Sequence, residues 1–322
     1  MTRSIVPLSA AVFLCLGPNL VWAQGQPSFD CAKASSAIEK VICANADLSA
    51  RDRALTASYV KAQAALSDEG KGALRTSQRQ WLRSSRELCD SSALKRDKIS
   101  EQVICLAQRY ELRQKQLETV IEIHGGLVFR RDDHFASSQS AWIASYPQID
   151  SPTTPSMMRW NERVAEKFKK ISEGDNPDQD QEVSYDIILV SSKMISVLIS
   201  NYIYPHGANH GYTGRERFHW LLNSGREMRS DDLFERGKNW QKTILSFCFK
   251  DLKARDYTNV KDIDELGTTP IEPGNWSFNS AGLTIHFDPY AVASFADGPQ
   301  EVLVPWSLLR GFLVKDPPVS IP

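Results

Sequence analysis

Four cysteines in the first third of the chain constrain its fold more than any other feature. Cys31, Cys43, Cys89 and Cys105 lie within seventy-five residues. In an oxidising compartment such a set predicts two structural disulfides that stabilise a small core. The gaps of 11, 45 and 15 residues between them lack the close C-x2-C spacing of a structural zinc site. The sequence leaves all three ways of pairing the four cysteines open.

The amino terminus has the form of a secretory signal peptide, which would direct the chain to such a compartment. Arg3 precedes an apolar run over residues 5–16, and Ala23 supplies a small side chain before the expected cleavage site. We predict a signal peptide over residues 1–23, cleaved before Gln24, and a periplasmic or secreted location. The apolar run is too short to span a bilayer, so we expect no transmembrane segment in the mature chain.

Length, composition and charge set the broad class of the mature protein. About 300 residues remain after cleavage, which predicts two domains. Hydrophobic residues make up 42% of the chain and charged residues 24%, which excludes a disordered chain and a membrane bundle. Residues 27–120 carry 16 basic and 12 acidic side chains, whereas residues 121–322 carry 21 and 27. An acidic second part is compatible with a cationic partner, and no nucleic-acid partner is expected.

The cysteine-rich part has the apolar period of amphipathic helices, which predicts a disulfide-linked bundle of three or four helices. Asp68, Gly70 and Gly72 predict a break between the second and third helices, and Asp90-Ser91-Ser92 predict another before the last. The positions that carry the period are Ile38, Val41, Ile42, Leu48, Leu55, Tyr59, Leu66, Leu74, Trp81, Leu82, Val103, Ile104, Tyr110 and Leu117.

A family resemblance covers the same part of the chain. It rests on Phe29, Asp30, Cys31, Glu39–Cys43, Leu48, Asp52, Leu55, Tyr59, Gln78–Leu82, Arg86 and Cys89. In their order and approximate spacing, residues 28–120 resemble the LprI-type lysozyme-inhibitor N-terminal domain. Glu87 stands where that family usually has aspartate, which leaves the charge unchanged. The resemblance implies an envelope protein and, as in some members, a lysozyme inhibitor, but it identifies no inhibitory residues.

Trp81 has two interpretations within this domain. An aromatic side chain of this size is either part of the packed core or an anchor that faces a partner. The helical period, which it shares with Leu74, favours the core. The choice matters because a partner-facing tryptophan would mark the binding surface directly.

The second part of the chain combines helices with strands. The period lapses between Glu122 and Phe135, and we place the domain junction at residues 121–145. Beyond it, over residues 146–318, strands occur without regular βαβ alternation, which predicts an α+β domain with a mostly antiparallel sheet and packed helices. The expected elements are a helix through Trp160, Val164 and Phe168, a hairpin of Tyr185–Val190 and Met194–Ile203, strands at Phe218–Leu222, Leu283–Phe287 and Glu301–Val304, and a helix through Trp240, Ile244 and Phe247.

Three motif groups give this second part a resemblance of its own. They are Gly207–Gly211; Asn223–Arg226 followed by Asp231–Phe234; and Asp288–Tyr290 with Phe295–Pro299 and Val304–Trp306. With them, residues 146–314 are similar to the domain of unknown function in RsiV-type lysozyme-sensing anti-sigma factors. Asn209 interrupts the Gly-Ala-His element of that family, and Phe295 replaces its usual tyrosine, which removes a hydroxyl. The resemblance implies an α+β fold and recognition of lysozyme or of wall-associated ligands.

A polar and aromatic cluster is the candidate binding site of the second domain. It consists of Tyr202, Tyr204, His206, His210 and Tyr212, residue types that often anchor protein and ligand contacts. The alternative interpretation is a loop that packs over the edge of the sheet. The spacing of the two histidines, placed on a loop, does not bring two imidazoles to one helical face, so we expect no metal site.

No sequence motif indicates catalysis. The chain lacks a G-x-S-x-G elbow, a phosphate-binding glycine loop and H-E-x-x-H. Cys248 follows Trp240, Ile244 and Phe247 at helical spacing, which predicts a buried free thiol on a helix. We therefore expect no catalytic residues and no cofactor.

Both resemblances point to an exported envelope binding protein whose suspected partner is lysozyme or a similar muramidase. This expectation rests on family analogy and not on a derived site. The alternative hypothesis is a structural module that binds peptidoglycan or another envelope protein and inhibits nothing.

Overall fold

The computed structural model describes residues 25–90, 99–137, 141–172 and 178–322. The predicted signal peptide and most of the Asp90-Ser91-Ser92 break lie outside these residues. A helical bundle occupies the first part of the chain, and two sheets with packed helices follow, so the predicted α+β class and the helical amino-terminal domain are confirmed. Within the described residues, no helix combines the length and apolar character that a membrane crossing requires.

Among the described residues four helices form the bundle, and polar side chains define where the first three begin. Ser36 and Glu39 form a capping box at the first helix, Asn45 caps the second and Ser67 caps the third, each satisfying backbone N–H groups that lack helical partners. The helices are α1 (Ala37–Ala44), α2 (Ala46–Ala65), α3 (Asp68–Leu88) and α4 (Ile99–Glu118).

The predicted break at Gly70 and Gly72 is wrong, because α3 begins at Asp68 and both glycines lie inside it. The chain turns earlier, at Leu66, and Ser67 then caps the helix. Gly70 is needed for packing: a Cβ there would lie 2.8 Å from Oδ1 of Asp150. Glycine at this position therefore marks close contact between the bundle and the following domain.

The core of the bundle contains most of the positions that the helical period predicted, but Leu82 and Ile104 are 49% and 57% exposed and lie outside it. Trp81 is 3% exposed and meets Tyr110 edge to face with ring centroids 5.5 Å apart, so the core interpretation of Trp81 is confirmed. Disulfides join Cys31 to Cys43 and Cys89 to Cys105. The first attaches the segment before α1 to that helix, and the second connects the end of α3 to α4.

A seven-stranded sheet follows the bundle directly. The predicted junction at residues 121–145 is instead occupied by strands, which pair in chain order. Their Arg and Asp side chains hid the strand period, because these charges are paired in the structure and do not face solvent as charges in a loop usually do. The strands are β1 (Ile121–His124), β2 (Leu127–Ser137), β3 (Ala141–Ile149), β4 (Gln179–Val190), β5 (Met194–Pro205), β6 (Tyr212–Leu221) and β7 (Arg226–Glu227).

Neighbouring strands of this sheet are antiparallel except β3 and β4, which are parallel. Helix α5 (Pro155–Ser172) connects these two strands, as a parallel connection requires. Trp160, Val164 and Phe168 of α5 are buried against Ile195 and Val197 of β5. The predicted helix and the β4–β5 hairpin are both present.

The last part of the chain builds a second, three-stranded antiparallel sheet. Its strands are β8 (Trp276–Phe278), β9 (Gly282–Phe287) and β10 (Gln300–Pro305), in the order β10-β9-β8. Helix α6 (Trp240–Lys253) and the short α7 (Trp306–Leu309) share one hydrophobic core with this sheet. Cys248 lies within that core as a buried free thiol on α6, as expected.

Buried charges join the bundle to the seven-stranded sheet. Arg113 of α4 has no exposed surface and donates from Nη1 to Oδ2 of Asp133 on β2 at 2.7 Å. Its Nη2 donates to Ser77 of α3 at 2.8 Å. The other oxygen of Asp133 accepts from Arg131 and from Ser145, both at 2.7 Å. Each charge in this network thus has several partners, which compensates for its removal from water.

A second group of charges extends the contact. Arg130 of β2, 3% exposed, has guanidinium nitrogens 2.9 Å from a carboxylate oxygen of Glu69 and 3.4 Å from one of Asp150. Ser67, the cap of α3, donates from its hydroxyl to Asp150 at 2.6 Å. The start of α3 is therefore held to the end of β3.

The paired charges around Asp133 predict a large effect of its removal. Burial alone would raise the pKa of Asp133, but Arg131 and Arg113 outweigh burial and hold this pKa below its usual value. Asp133→Ala leaves Arg113 buried without its carboxylate, so we expect a loss of about 3–5 kcal/mol of unfolding free energy in urea titrations at pH 7. The loss should shrink as the pH falls below about 4, because protonation removes the same stabilisation from the wild type.

The control for this prediction is Asp231→Ala. Asp231 pairs with Arg236, whose side chain is 81% exposed, and such surface pairs contribute about 0–1 kcal/mol. Equal losses from the two substitutions would contradict the structural role assigned to Asp133.

Candidate functional site

The central strands of the large sheet have one face covered by a helix and an opposite face that is only partly open, because Ser196, Arg217 and His219 on that opposite face are buried. Helix α5 covers the face that carries Ile195, Val197 and Ile199. Since side chains alternate along a strand, the even-numbered residues of β5 from Leu198 to Tyr204 lie on the opposite face. There they are partly or largely accessible. We call this surface the open face; it consists of Glu182, Ser184 and Asp186 of β4, Leu198, Ser200, Tyr202 and Tyr204 of β5, and Thr213, Arg215 and Arg217 of β6.

Tyr202 and Tyr204, two of the predicted binding residues, lie on the open face. Tyr202 is 41% exposed. Its ring rests against the backbone of Gly211, where an added Cβ would lie 2.5 Å from ring atoms. The hydroxyl of Tyr204 donates to the carbonyl of Ala208 at 3.1 Å. Both tyrosines therefore pack against the loop that connects β5 to β6.

The other predicted residues are divided between different surroundings. Nε2 of His206 lies 3.1 Å from Oδ1 of Asp180 at the surface. Tyr212 pairs with Ile203 in the sheet, which directs its side chain to the face opposite Tyr202. The five residues thus do not form one continuous surface.

His210 belongs to an aromatic stack with two residues that the sequence analysis did not place in the site. Its ring stacks on Phe295 with centroids 4.4 Å apart, and Phe295 stacks on Tyr290 at 5.4 Å. We call His210, Phe295 and Tyr290 the aromatic stack. Tyr290 is 66% exposed and has a positive φ of 71°. A non-glycine residue rarely adopts this conformation, and such strain often occurs at functional sites.

Tyr290 and Phe295 belong to the motif group of the second resemblance, but no local period connects them with His210. The contact between His210 and Phe295 joins residues 85 positions apart in the chain. The replacement of tyrosine by phenylalanine at position 295 retains the ring and its stacking. The only sequence signal for this site was the motif itself.

The helical bundle contains a cavity of about 350 Å³. We call it the bundle cavity. Asp52 lies in its wall, where it accepts hydrogen bonds from the backbone N–H of Ser28 at 2.6 Å and from the hydroxyl of Tyr110 at 2.9 Å. Its lining consists of Ser28, Phe29, Ile38, Glu39, Ile42, Asp52, Leu55, Thr56, Tyr59, Gln78, Trp81, Leu82, Ser85, Arg86, Leu106 and Tyr110.

The cavity is mostly apolar with a few acidic and basic groups at defined positions. Burial, and then the charge of Asp52, raises the pKa of Tyr110, so its phenol stays protonated and donates to the carboxylate. Leu82 is 49% exposed and marks the rim. An apolar cavity with a few oriented polar groups is the usual form of a binding pocket.

Neither the buried His219 nor the free cysteine has the properties of a reactive group. His219 is buried, which lowers its pKa to about 4, and its Nε2 donates to the carbonyl of Pro273 at 3.0 Å. Burial raises the pKa of Cys248 to about 12, far from that of a nucleophilic thiol. Across the described ranges of the chain, no group of three His, Cys, Asp or Glu side chains is placed to hold a metal ion.

The fold and these surfaces define a two-part protein, a disulfide-linked helical bundle followed by an α+β half. Comparison with protein families finds two matches in separate parts of the chain: the model of the lysozyme inhibitor LprI matches residues 31–117, and that of a protein of unknown function, DUF3298, matches residues 231–307. The chain therefore carries an LprI lysozyme inhibitor domain followed by a DUF3298 domain. The likeness to RsiV-type anti-sigma factors is not confirmed and remains a prediction.

Similar solved structures come from the second family. A DUF3298 family protein from Pseudomonas aeruginosa PAO1 is 14% identical, with a TM-score of 0.42 over 58% of this chain and 93% of that one. A member of the same family from Bacteroides fragilis NCTC 9343 is 16% identical, with a TM-score of 0.40 over 60% and 96%. No curated protein matches the chain.

The contact between Tyr202 and Gly211 predicts a specific steric effect. Gly211→Ala places a methyl group against the tyrosine ring, so we expect a loss of about 1–3 kcal/mol of unfolding free energy. Gly214→Ala, in the same strand region with nothing within 4 Å of the added carbon, should change stability by less than about 0.5 kcal/mol. If Tyr202→Ala does not relieve the cost of Gly211→Ala in the double variant, the two residues do not touch as described.

Proposed function

We propose that this chain is an exported envelope protein, periplasmic or secreted, that binds and inhibits lysozyme through its helical domain. The observation that carries the proposal is the match of the LprI lysozyme inhibitor to residues 31–117, which coincide with the bundle. The two disulfides support an oxidising compartment outside the cytoplasm.

The bundle cavity is the surface we assign to this contact. Tightly bound protein partners usually place a few anchoring side chains in pockets that exclude water. Leu55, Tyr59 and Leu106 supply apolar walls, and the oxygen atoms of Glu39 and Asp52 supply acidic groups for a basic side chain of lysozyme. Leu82 at the rim would be covered in the complex.

A second candidate is an envelope-binding module that attaches to peptidoglycan or another envelope protein without inhibiting lysozyme. The aromatic rings exposed in the second domain favour it, because accessible aromatic side chains are enriched where proteins bind ligands and partners. Tyr202 and Tyr290, 41% and 66% exposed, are the residues that such a ligand would contact.

Titration of lysozyme activity with the purified, oxidised full-length mature protein tests the proposal. We expect inhibition near a one-to-one ratio. Leu82→Glu places a charge at the rim of the bundle cavity and should weaken inhibition by about tenfold or more. Ile123→Glu is the matched control, because Ile123 is 71% exposed on β1, away from the cavity lining, and should leave inhibition unchanged.

The other outcomes separate the competing functions. No inhibition at large excess over several classes of lysozyme would contradict the proposal. Co-sedimentation with peptidoglycan while lysozyme stays active would favour the envelope-binding module. Release of wall fragments by the protein alone would reveal a hydrolase.

A further inference from the structure

Arg217 is a buried arginine in the middle of β6 that the proposed function does not use. Its pairing with Leu198 places it on the open face, next to Arg215 along the same strand. The residue is only 7% exposed. Burial is the main cause that lowers its pKa, which shows that the surroundings do not compensate fully for the charge.

Within the described part of the chain, the guanidinium of Arg217 forms no hydrogen bond, and no carboxylate lies within 4 Å of it as an ion-pair partner. Among the described residues, the side-chain nitrogens that are fully enclosed and lack a hydrogen-bond partner belong to Gln102, Trp142 and Trp160. The nitrogens of Arg217 are not among them. The nitrogens of Arg217 therefore retain small solvent-facing surfaces. The donors thus keep some contact with solvent while the rest of the side chain is buried.

The carboxylates nearest to Arg217 are already engaged. Asp288 and Glu301 act on it only through space. An oxygen of Glu301 lies 3.0 Å from Nδ1 of His286, and Asp288 accepts from the backbone N–H of Arg215 at 3.4 Å. Burial, and then the charge of Arg217, lowers the pKa of His286 to about 4, so this histidine is neutral near pH 7 and adds no competing charge.

A nearly buried guanidinium without a partner is unfavourable unless a ligand supplies one, since buried charges in proteins are normally paired. We propose that Arg217 binds the carboxylate of a short peptide that lies along the open face. A guanidinium fork matches a carboxylate in two parallel hydrogen bonds. The negative charges of Asp288 and Glu301 nearby favour a ligand with a single charge over a phosphate dianion.

The open face has the dimensions of such a ligand. Tyr202 lies four positions along β5 from Leu198, the neighbour of Arg217, and on the same face. At about 3.3 Å per residue this separation is about 13 Å, the length of four extended residues. A peptide whose terminal carboxylate meets Arg217 can therefore place an apolar side chain against the exposed ring of Tyr202. This site is independent of the bundle cavity.

Calorimetric titration of the full-length protein with small peptides tests the proposal. The probes are N-acetyl-trialanine with a free carboxyl end, its carboxyl-terminal amide, and the isomer that ends in two D-alanines. We expect the free acid to bind about tenfold or more tightly than the amide. Preference for the D-isomer would identify wall peptides as the source of the carboxylate, and preference for the L-isomer would identify protein termini.

Substitutions test the role of Arg217 itself. Arg217→Gln should abolish the preference for the acid, and Arg217→Lys should retain part of it, because lysine keeps the charge and loses the fork. Arg236→Gln, at a side chain that is 81% exposed, is the control and should bind as the wild type does. Equal binding of acid and amide by the wild type, no binding of either at about 10 mM, or full preference in Arg217→Gln would overturn the proposal. If Arg217→Gln does not fold, the comparison of acid and amide still decides.

Discussion

The contact of Arg113 with Asp133 is the interaction on which the rest of the structure depends. It joins the last helix of the bundle to the second strand of the sheet, where neither charge has water to stabilise it. Arg131, Ser77 and Ser145 complete the hydrogen bonding of the pair. A buried pair of this kind contributes less to stability than its geometry suggests, but removal of one partner is costly. Its main consequence is a defined orientation of bundle and sheet.

That orientation explains why the bundle and the seven-stranded sheet can be joined with little connecting sequence. Helix α4 ends at Glu118 and β1 begins at Ile121, so the polar contact, and not a linker, determines how the halves meet. The bundle cavity and the open face then belong to different halves and can act separately. The proposed inhibition of lysozyme by the first and the proposed ligand binding by the second are therefore compatible within one chain.

Sequence periodicity predicted the elements whose apolar residues face a single core, such as α3 around Trp81 and the β4–β5 hairpin. It failed where charged residues are buried: Arg130, Arg131 and Asp133 made a strand resemble a solvated junction. It also misplaced the start of α3, because Gly70 was interpreted as a helix breaker when its small size serves packing against Asp150. The stacking of His210 on Phe295 depends on tertiary packing alone, and no local pattern contains that information.

Hydrogen–deuterium exchange of the full-length protein with and without lysozyme tests the central claim most directly. We expect slower exchange in α1 and in α3 near Leu82, where the bundle cavity opens, and unchanged exchange along β5 and β6. Protection confined to β5, β6 and the aromatic stack would contradict the assignment of inhibition to the bundle, and the absence of any protection would contradict lysozyme binding itself.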